Sequence, residues 1–467
     1  MSASVSRSLS RRRFLSLAGG TAVGAFIAAC APPAPAPAPE VAPPPAEKEK
    51  VKLIAWFTDR RTINEMTKEV MKSEFQVRNP NIEVDIQFIP EPDIPAKMAT
   101  AYQAGQAPDL SSLDETHLPG LWFNGFVQPI PEGVIDVRVE MGARVADVYK
   151  IPLGSPDAKY YALPNGNMTS AVHYNEELLD KYGYTWEDIP TKWEDFIKWA
   201  QELTIWDGDE VKQWGFTFAG SGSALADAVC FQMGGWTYKN HKEVLIDSPE
   251  MKAAYQFVLD LFDKYKLDSR FSPLTPRDRL GQGMAVTAYE WTWVQGFLTN
   301  QYPDLQWGTV VNPTFTGEPP YGRASDDLGF AVTSQSEDPD RLEATWTLWR
   351  YLVGPDYQRR YVKFRGTHPS LLELWDEPDF TPENPRWRAI AITTQPGNYR
   401  APGIWPIEIV PLWGNAWSLI RDEGVPIDDA IAQVKPQMQK ILEASDYGSF
   451  LLGKEGWEAN PIWMTER

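Results

Sequence analysis

The stretch "VKLIAWFTDRRTINEMTKEVMKSEFQVRNPNIEVDIQFI" (residues 51–89) predicts a strand, a helix and a second strand. Its first part, Val51–Phe57, is mostly apolar, which is typical of a largely buried strand. Its last part, Ile82–Phe88, alternates apolar and polar residues, as does a strand with one face in water. Between them, apolar residues recur at helical spacing: Ile63, Met66, Val70 and Phe75. This order of elements predicts a parallel sheet covered by helices.

The same alternation continues along the rest of the chain. Further strands are predicted at residues 108–113, 171–175, 284–289 and 329–334, and further helices at residues 93–105, 249–265, 339–352 and 427–442. Ser248 and Asp338, each followed by proline, predict helix starts, and Thr191 with Glu194 predicts a capping box. The chain is therefore expected to have an α/β fold.

The N-terminal region predicts export and attachment to a membrane. The basic start Arg11–Arg13 precedes a short apolar run, Leu15–Ala29, and then Cys30, an order that resembles a twin-arginine signal ending in a lipobox. We expect residues 1–29 to be a signal peptide. Residues 30–50 would be a lipidated cysteine, Cys30, with a proline-rich stalk. The alternative is an N-terminal membrane helix, for which the apolar run is short.

Composition argues against several classes of function. The net charge of −19 argues against nucleic-acid binding, because an acidic surface repels phosphate. Cys230 is the second of two cysteines, so no disulfide within the folded part is expected, and it is interpreted as a small buried residue. The histidines are not in metal-ligand spacing: His117, His173, His241 and His368. No metal, cofactor or catalytic residue is predicted.

Tryptophan is abundant, with 20 residues, and suits the recognition of sugars. The flat faces of a sugar stack on aromatic rings, while its hydroxyl groups need polar partners around the edge. Most of the tryptophans are expected in cores, including four in predicted helices: Trp193, Trp199, Trp346 and Trp349. Those near glycines, prolines or strand ends are better candidates for a site: Trp236, Trp291, Trp293, Trp405 and Trp413.

The segment Lys159–Thr204 carries a family resemblance. It contains a Tyr-x-x-Pro stretch, a Tyr-Asn pair, a Lys-x-Gly and a Lys-Trp-Glu-Asp-Phe helix start, at Tyr161–Pro164, Tyr174-Asn175, Lys181–Gly183 and Lys192–Phe196. These motifs resemble the bacterial extracellular solute-binding proteins of the ABC sugar-transporter class, which are maltodextrin-binding-protein-like. A Gly-Met-Ala sequence at residues 283–285 and an Ala-Thr-Trp in the helix after Pro339 resemble the same family. The resemblance covers roughly residue 51 to the C-terminus.

The resemblance implies an α/β, two-lobed periplasmic-binding-protein fold of type II. Each lobe would be a mostly parallel sheet with flanking helices, and the ligand would bind in the cleft between them. Lobe 1 would comprise residues 51–165 and about 326–370, and lobe 2 residues 166–325 and about 371–467. The hinge is expected near Pro164–Met168 and near Ala324–Thr333.

The resemblance also implies which residues bind the ligand. Trp291 and Trp413 would stack on sugar rings, and polar residues would follow the first and third strands. The complete predicted set is Trp56, Asp59, Arg60, Asp114, Glu115, Asn165, Asn167, Trp236, Glu290, Trp291, Trp293, Trp405 and Trp413. Leu113 stands where the maltodextrin type has an aromatic residue, and Met168 where it has a carboxylate, so a ligand other than maltose is expected.

The expected function is therefore that of a lipid-anchored receptor. It would capture a sugar or oligosaccharide and deliver it to the permease subunits of an ABC transporter. We expect a monomer held by its lipid alone at the outer face of the cytoplasmic membrane. Two alternatives stay open: a receptor for a polyamine or a glycerophosphodiester, and a secreted glycoside hydrolase using acidic pairs such as Asp114-Glu115. Acids in the cleft would favour the polyamine, and arginines the phosphodiester.

Overall fold

The computed structural model describes residues 50–134, 149–151, 158–239, 243–335, 338–395, 397–400, 406 and 408–444. Its strands are β1 (Val51–Thr58), β2 (Ile82–Ile89), β3 (Leu110–Leu113), β4 (Lys150–Ile151), β5 (Lys159–Tyr160), β6 (Leu163–Pro164), β7 (Gly166–Asn175), β8 (Ile205–Asp207), β9 (Glu210–Thr217), β10 (Tyr238–Lys239), β11 (Glu243–Val244), β12 (Ala285–Trp291), β13 (Trp307–Val310), β14 (Gly322–Asp326), β15 (Gly329–Val332), β16 (His368–Pro369) and β17 (Tyr399–Arg400).

The α-helices are α1 (Arg61–Val70), α2 (Gln76–Arg78), α3 (Ile94–Gln103), α4 (Leu118–Phe123), α5 (Glu176–Lys181), α6 (Trp193–Glu202), α7 (Gly222–Gln232), α8 (Pro249–Asp263), α9 (Pro276–Gly281), α10 (Val294–Gln301), α11 (Pro339–Leu352), α12 (Pro355–Arg365), α13 (Arg388–Thr393), α14 (Ile409–Arg421) and α15 (Ile427–Ala444). A π-helical turn, Met71–Phe75, joins α1 to α2. No helix of the described ranges is both long and apolar enough to cross a bilayer.

The first sheet has the strand order β2-β1-β3-β15-β6. β1 and β2 run parallel, with Val51 opposite Ile82 and Thr58 opposite Ile89, and β1 and β3 are also parallel. The strand, helix and strand predicted from residues 51–89 are therefore confirmed. One face of β1 packs against α1 and α11 in a buried cluster that includes Phe57.

The second sheet has the order β17-β14-β7-β12-β9-β8, and β13 and β16 also pair with β7. Its strand directions are mixed, which corrects the expectation of a mostly parallel sheet in each lobe. β12 is parallel to β9, but β7 is antiparallel to β12, β13, β14 and β16. The reason is that β7 enters this sheet from the first one, whereas β14 runs in the opposite direction as the chain goes back.

The described chain passes between the two sheets three times. β6 leads through Asn165 into β7, β14 leads through Asp327-Leu328 into β15, and the chain after α12 reaches β16, where His368 lies opposite Asn167. The first two passages fall within the segments for which the sequence predicts a hinge; the hinge motion itself stays a prediction. The passages bring residues from distant parts of the chain together.

Two of the predicted helix caps are confirmed and one is wrong. The Ser248 hydroxyl accepts a hydrogen bond from the Met251 amide at 3.1 Å, and the Asp338 carboxylate accepts one from the Asp340 amide at 3.0 Å. The predicted box at Thr191 does not form, and α6 begins without a side-chain cap among the described residues. There the Thr191 carbonyl accepts from the Thr314 amide at 2.9 Å, so the backbone is held by a neighbouring loop instead.

The interpretation of Cys230 as a core residue is confirmed, since it is fully buried in α7. Cys30, the signal peptide at 1–29 and nearly all of the stalk at 30–50 lie outside the described residues, as do Trp405 and His241.

Candidate ligand-binding site

Arg60 stands just beyond β1, at the carboxyl edge of the first sheet. Its Nη2 lies 2.6 Å from Glu91 Oε2, beyond the end of β2. Burial lowers the pKa of Arg60, but the charges of Asp327, Tyr361, Glu91 and Asp114 outweigh burial and raise it. Arg60 is thus at the centre of several acidic groups. Asp59, its neighbour, points to solvent and accepts a hydrogen bond from Asn64 at 2.7 Å.

A buried ion pair occupies the passage from β14 to β15. Arg365 Nε lies 3.0 Å from Asp327 Oδ2, and the Tyr361 hydroxyl donates to the same carboxylate oxygen at 2.9 Å. Burial alone would raise the pKa of Asp327, but the charges of Arg365 and Arg60 outweigh it and lower the pKa. Asp327 is therefore ionised, and the passage is fixed to α12 by a charged contact.

Two further carboxyl groups, Glu115 and Asp326, meet beside this pair. Ser325 Oγ donates to Glu115 Oε1 at 3.3 Å, and the Tyr149 hydroxyl donates to Asp326. Burial, with the nearby Asp114 and Asp326 charges, raises the pKa of Glu115 well above its usual range. Burial also raises the pKa of Asp326 to about 7. The two carboxyl groups also lie within hydrogen-bonding reach of each other, a contact that raises the pKa of Glu115 and lowers that of Asp326.

The end of β12 supplies aromatic rings from the second sheet. Trp291 is partly exposed, and the Arg323 guanidinium lies 5.2 Å from its ring centre. Arg323 Nη1 in turn lies 3.0 Å from Asp227 Oδ2. Burial raises the pKa of Asp227 to about 6, although the charge and hydrogen bond of Arg323 act in the opposite direction. Trp413 is only 8% exposed and packs in the buried apolar cluster of the second sheet.

Trp293 links the second sheet to the buried ion pair. The Arg277 and Arg365 guanidinium groups lie 5.2 Å and 5.3 Å from its ring centre. Arg277 Nη1 also lies 3.4 Å from Glu290 Oε1, and Glu290 is 3% exposed. Trp293 itself is partly exposed. Trp293 therefore contacts side chains of two helices, α9 and α12.

Two buried asparagines lie at the passage from β6 to β7. Asn165 and Asn167 are each 1% exposed. Within the described part of the chain, neither side-chain oxygen has a hydrogen-bond partner. Asn167 lies directly opposite Asp326 in the β7–β14 pairing, so both side chains project from the same face. Buried acceptors without donors are rare in folded proteins, and a bound molecule is one way to satisfy them.

Two more of the predicted residues belong to a buried apolar cluster that also contains Leu113 and Tyr149: Trp56 lies within it and Trp236 packs against it. Trp56 is 7% exposed and donates from Nε1 to Gln87 at 3.2 Å. It lines a separate groove of about 1120 Å³ between β1, α3 and the start of α11. Trp236 is partly exposed and packs against Phe231, with ring centres 5.8 Å apart.

We call the following residues the crossover site: Arg60, Glu91, Asp114, Glu115, Asn165, Asn167, Asp227, Arg277, Glu290, Trp291, Trp293, Arg323, Asp326, Asp327 and Arg365. Of the predicted set, Asp59 and Trp413 are not included, because Asp59 points to solvent and Trp413 lies in the core. Sequence reasoning missed seven of them: Glu91, Asp227, Arg277, Arg323, Asp326, Asp327 and Arg365. The Asp326-Asp327 pair just before an apolar strand was a usable signal. For Arg365 the sequence offers no such signal, because it lies within a helix rich in basic residues.

Comparison with known proteins identifies the family. The family model described as bacterial extracellular solute-binding protein matches residues 71–388. An arabinooligosaccharide-binding protein of Halalkalibacterium halodurans is 23% identical over 303 residues, covering 61% of this chain and 63% of that protein. The match therefore spans less than two thirds of that relative's length.

Solved structures share the fold. An ABC substrate-binding protein from Listeria monocytogenes in complex with cycloalternan has 18% identity and a TM-score of 0.68, covering 85% of this chain and 100% of that one. UgpB from Mycobacterium tuberculosis in complex with glycerophosphocholine has 15% identity and a TM-score of 0.69, covering 85% and 99%. The predicted two-lobed, type II fold is confirmed. The chain belongs to the bacterial extracellular solute-binding protein family.

Proposed function

We propose that this protein captures a sugar or oligosaccharide between its two lobes and delivers it to an ABC import permease. The observation that carries the proposal is the crossover site itself. Trp291 and Trp293 are partly exposed, and Trp293 contacts Arg365, the ion-pair partner of Asp327. The Asp327 amide donates to the Gly166 carbonyl at 2.8 Å, between Asn165 and Asn167, whose side-chain oxygens lack donors among the described residues. Rings for stacking beside polar groups for hydroxyls are what a sugar needs. The arabinooligosaccharide-binding relative supports the same class of ligand.

A phosphodiester fits this site less well. Four arginines line it, and each is already paired with a carboxylate: Arg60 with Glu91, Arg277 with Glu290, Arg323 with Asp227 and Arg365 with Asp327. An anionic ligand would compete with these carboxylates for the arginines and would also meet Glu115 and Asp326. The acidic excess keeps the polyamine as the second candidate.

A glycoside hydrolase is disfavoured by the spacing of the acids. Hydrolases hold their two carboxyl groups about 5–9 Å apart, on either side of the bond that is cleaved. Glu115 and Asp326 instead hydrogen-bond to each other. We therefore propose that the protein binds its ligand without changing it.

The remaining predictions about organisation also stand as proposals. We propose lobe 1 at 51–165 and about 326–370, and lobe 2 at 166–325 and about 371–467. Closure of the lobes around the ligand would bring the polar groups of β1 and β3 onto the sugar held by Trp291. Anchoring through Cys30 would keep the receptor at the membrane near its permease, as a monomer.

A thermal-shift screen tests the function. The purified protein is heated with arabino-, malto- and manno-oligosaccharides, with spermidine and with glycerophosphocholine. A ligand at 100 times its Kd adds about 2.7 kcal/mol to the free energy of unfolding and so raises the Tm. We expect a shift with one class of sugar, and recovery of that sugar unchanged. A shift with spermidine or glycerophosphocholine alone would overturn the sugar assignment.

A further inference from the structure

The charges of the crossover site do not balance. All four of its arginines are paired, as described above. Asp114, Glu115 and Asp326 are in no ion pair with a lysine, arginine or histidine of the described residues. Asp114 is partly satisfied, because it accepts hydrogen bonds from the Thr116 amide at 2.9 Å and from the Thr116 hydroxyl. Glu115 and Asp326 are the carboxyl groups that lack a cation.

Next to these two carboxyl groups lies a further hydrogen-bond acceptor without a donor. Asn167 lies opposite Asp326 on the same face, is 1% exposed, and has a side-chain oxygen without a partner. Its Nδ2 is directed instead to the Pro369 carbonyl at 3.5 Å. Carboxylates and an amide oxygen all accept hydrogen bonds. The described residues supply Ser325 and Tyr149 as donors to this group, and both are hydroxyls without charge.

We propose that the ligand carries a protonated amine beside its hydroxyl groups, and that Glu115, Asp326 and Asn167 bind this amine. An ammonium group offers three donors to these three acceptors, and its positive charge would favour the ionised forms of the two carboxyl groups. This inference rests on the proposed function, and it narrows the ligand to a basic sugar. A polyamine also carries protonated amines, but it lacks the sugar ring.

The test compares sugars that differ in one substituent. The purified protein is titrated calorimetrically with four matched monosaccharides and with spermidine: D-glucosamine, D-glucose, N-acetyl-D-glucosamine and D-glucuronate. The same comparison is made between glucosamine and glucose disaccharides of equal linkage. We expect the free amine to bind about tenfold tighter than the neutral sugar, because a charge-assisted hydrogen bond is about twice as strong as a neutral one. Glucuronate should bind most weakly.

Variants show whether the named carboxyl groups cause the preference. Glu115→Gln and Asp326→Asn keep the shape but cannot carry a negative charge, and each should weaken binding of the amino sugar about tenfold more than binding of the neutral sugar. Glu343→Gln, on the exposed side of α11, makes the same charge change far from the site and should alter neither. Circular dichroism and the Tm establish that each variant is folded.

The outcomes separate this inference from the function on which it rests. Neutral sugars binding as tightly as their amino counterparts would overturn the amine site and leave the sugar receptor in place. Binding of spermidine with none of the sugars would overturn the sugar receptor and support the amine site. An amine preference that both variants retain would overturn the assignment to Glu115 and Asp326.

Discussion

At the scale of single residues, Trp293 illustrates how charged side chains position the aromatic rings of the site. Its ring lies between the guanidinium groups of Arg277 and Arg365, and Arg365 is paired with buried Asp327. The sequence marked Trp291, Trp293 and Glu115 because they follow strand ends. It could not predict that Arg365 pairs with Asp327, because the helix and the strand crossing that carry them meet only in the folded chain.

Replacing Trp291 should remove most of the sugar binding without unfolding the protein. Trp291→Ala deletes a partly exposed ring, so stacking is lost while the core keeps its packing. We expect sugar affinity to fall at least about tenfold, by analogy with aromatic residues at other binding sites. Trp206→Ala is the matched control, since Trp206 is 48% exposed on β8. Equal affinities in the two variants would contradict the role of Trp291.

Replacing Arg365 should destabilise the fold. Arg365→Gln leaves the Asp327 carboxylate buried without its main partner, a change that typically costs about 3–5 kcal/mol. Urea denaturation at pH 7 measures the loss. Arg350→Gln, which removes an exposed arginine on α11, should change the free energy of unfolding by less than about 1 kcal/mol. A small effect of Arg365→Gln would show that water or another group can replace the pair.

The effect of His173 on the free energy of unfolding can be measured as a function of pH. Burial lowers its pKa from 6.5 to about 4, although the backbone of Ala171 and Ala288 partly offsets burial. The folded state therefore binds fewer protons than the unfolded state between pH 6.5 and 4, and the contribution of His173 to stability is lost as pH falls through that window. From pH 7.5 to 5, His173→Phe should gain about 2 kcal/mol relative to wild type. A difference that is independent of pH would contradict this.

At the scale of elements, helix starts were predicted correctly where a residue next to the helix caps its first amides. Ser248 and Asp338 cap α8 and α11 as expected. The cap predicted at Thr191 was wrong because the Thr191 carbonyl accepts a hydrogen bond from the Thr314 amide instead. These residues are more than a hundred positions apart, so no local sequence pattern predicts the contact. The box formed instead at Thr185, whose amide donates to Asp188 Oδ2 at 2.7 Å.

These two threonines give a matched test. Thr185→Ala removes a capping side chain and should lower the free energy of unfolding by about 1 kcal/mol. Thr191→Ala should cost clearly less, since the hydrogen bond found at residue 191 in the described chain is made by its backbone carbonyl. Urea denaturation of both variants measures the difference. The reverse order would mean that the cap at Thr191 forms in solution.

At the scale of the whole molecule, the sequence predicted the α/β class and the division between two sheets. It did not predict the mixed strand directions of the second sheet, because β7 pairs with strands that follow it by more than a hundred residues. The three passages of the chain between the sheets give the second sheet its mixed strand directions. They also bring Asn165, Asp326 and Asp327 together. The architecture of the sheets and the position of the site therefore have one cause.

The most direct test of the account is calorimetric titration of the purified protein with the sugar that gives the largest thermal shift, followed by analysis of the recovered sugar. We predict saturable binding at one site per chain, at least tenfold weaker binding in Trp291→Ala, and a chemically unchanged sugar. Release of a shorter sugar, or saturation by glycerophosphocholine with no response to any sugar, would contradict the central claim that this chain is a sugar receptor.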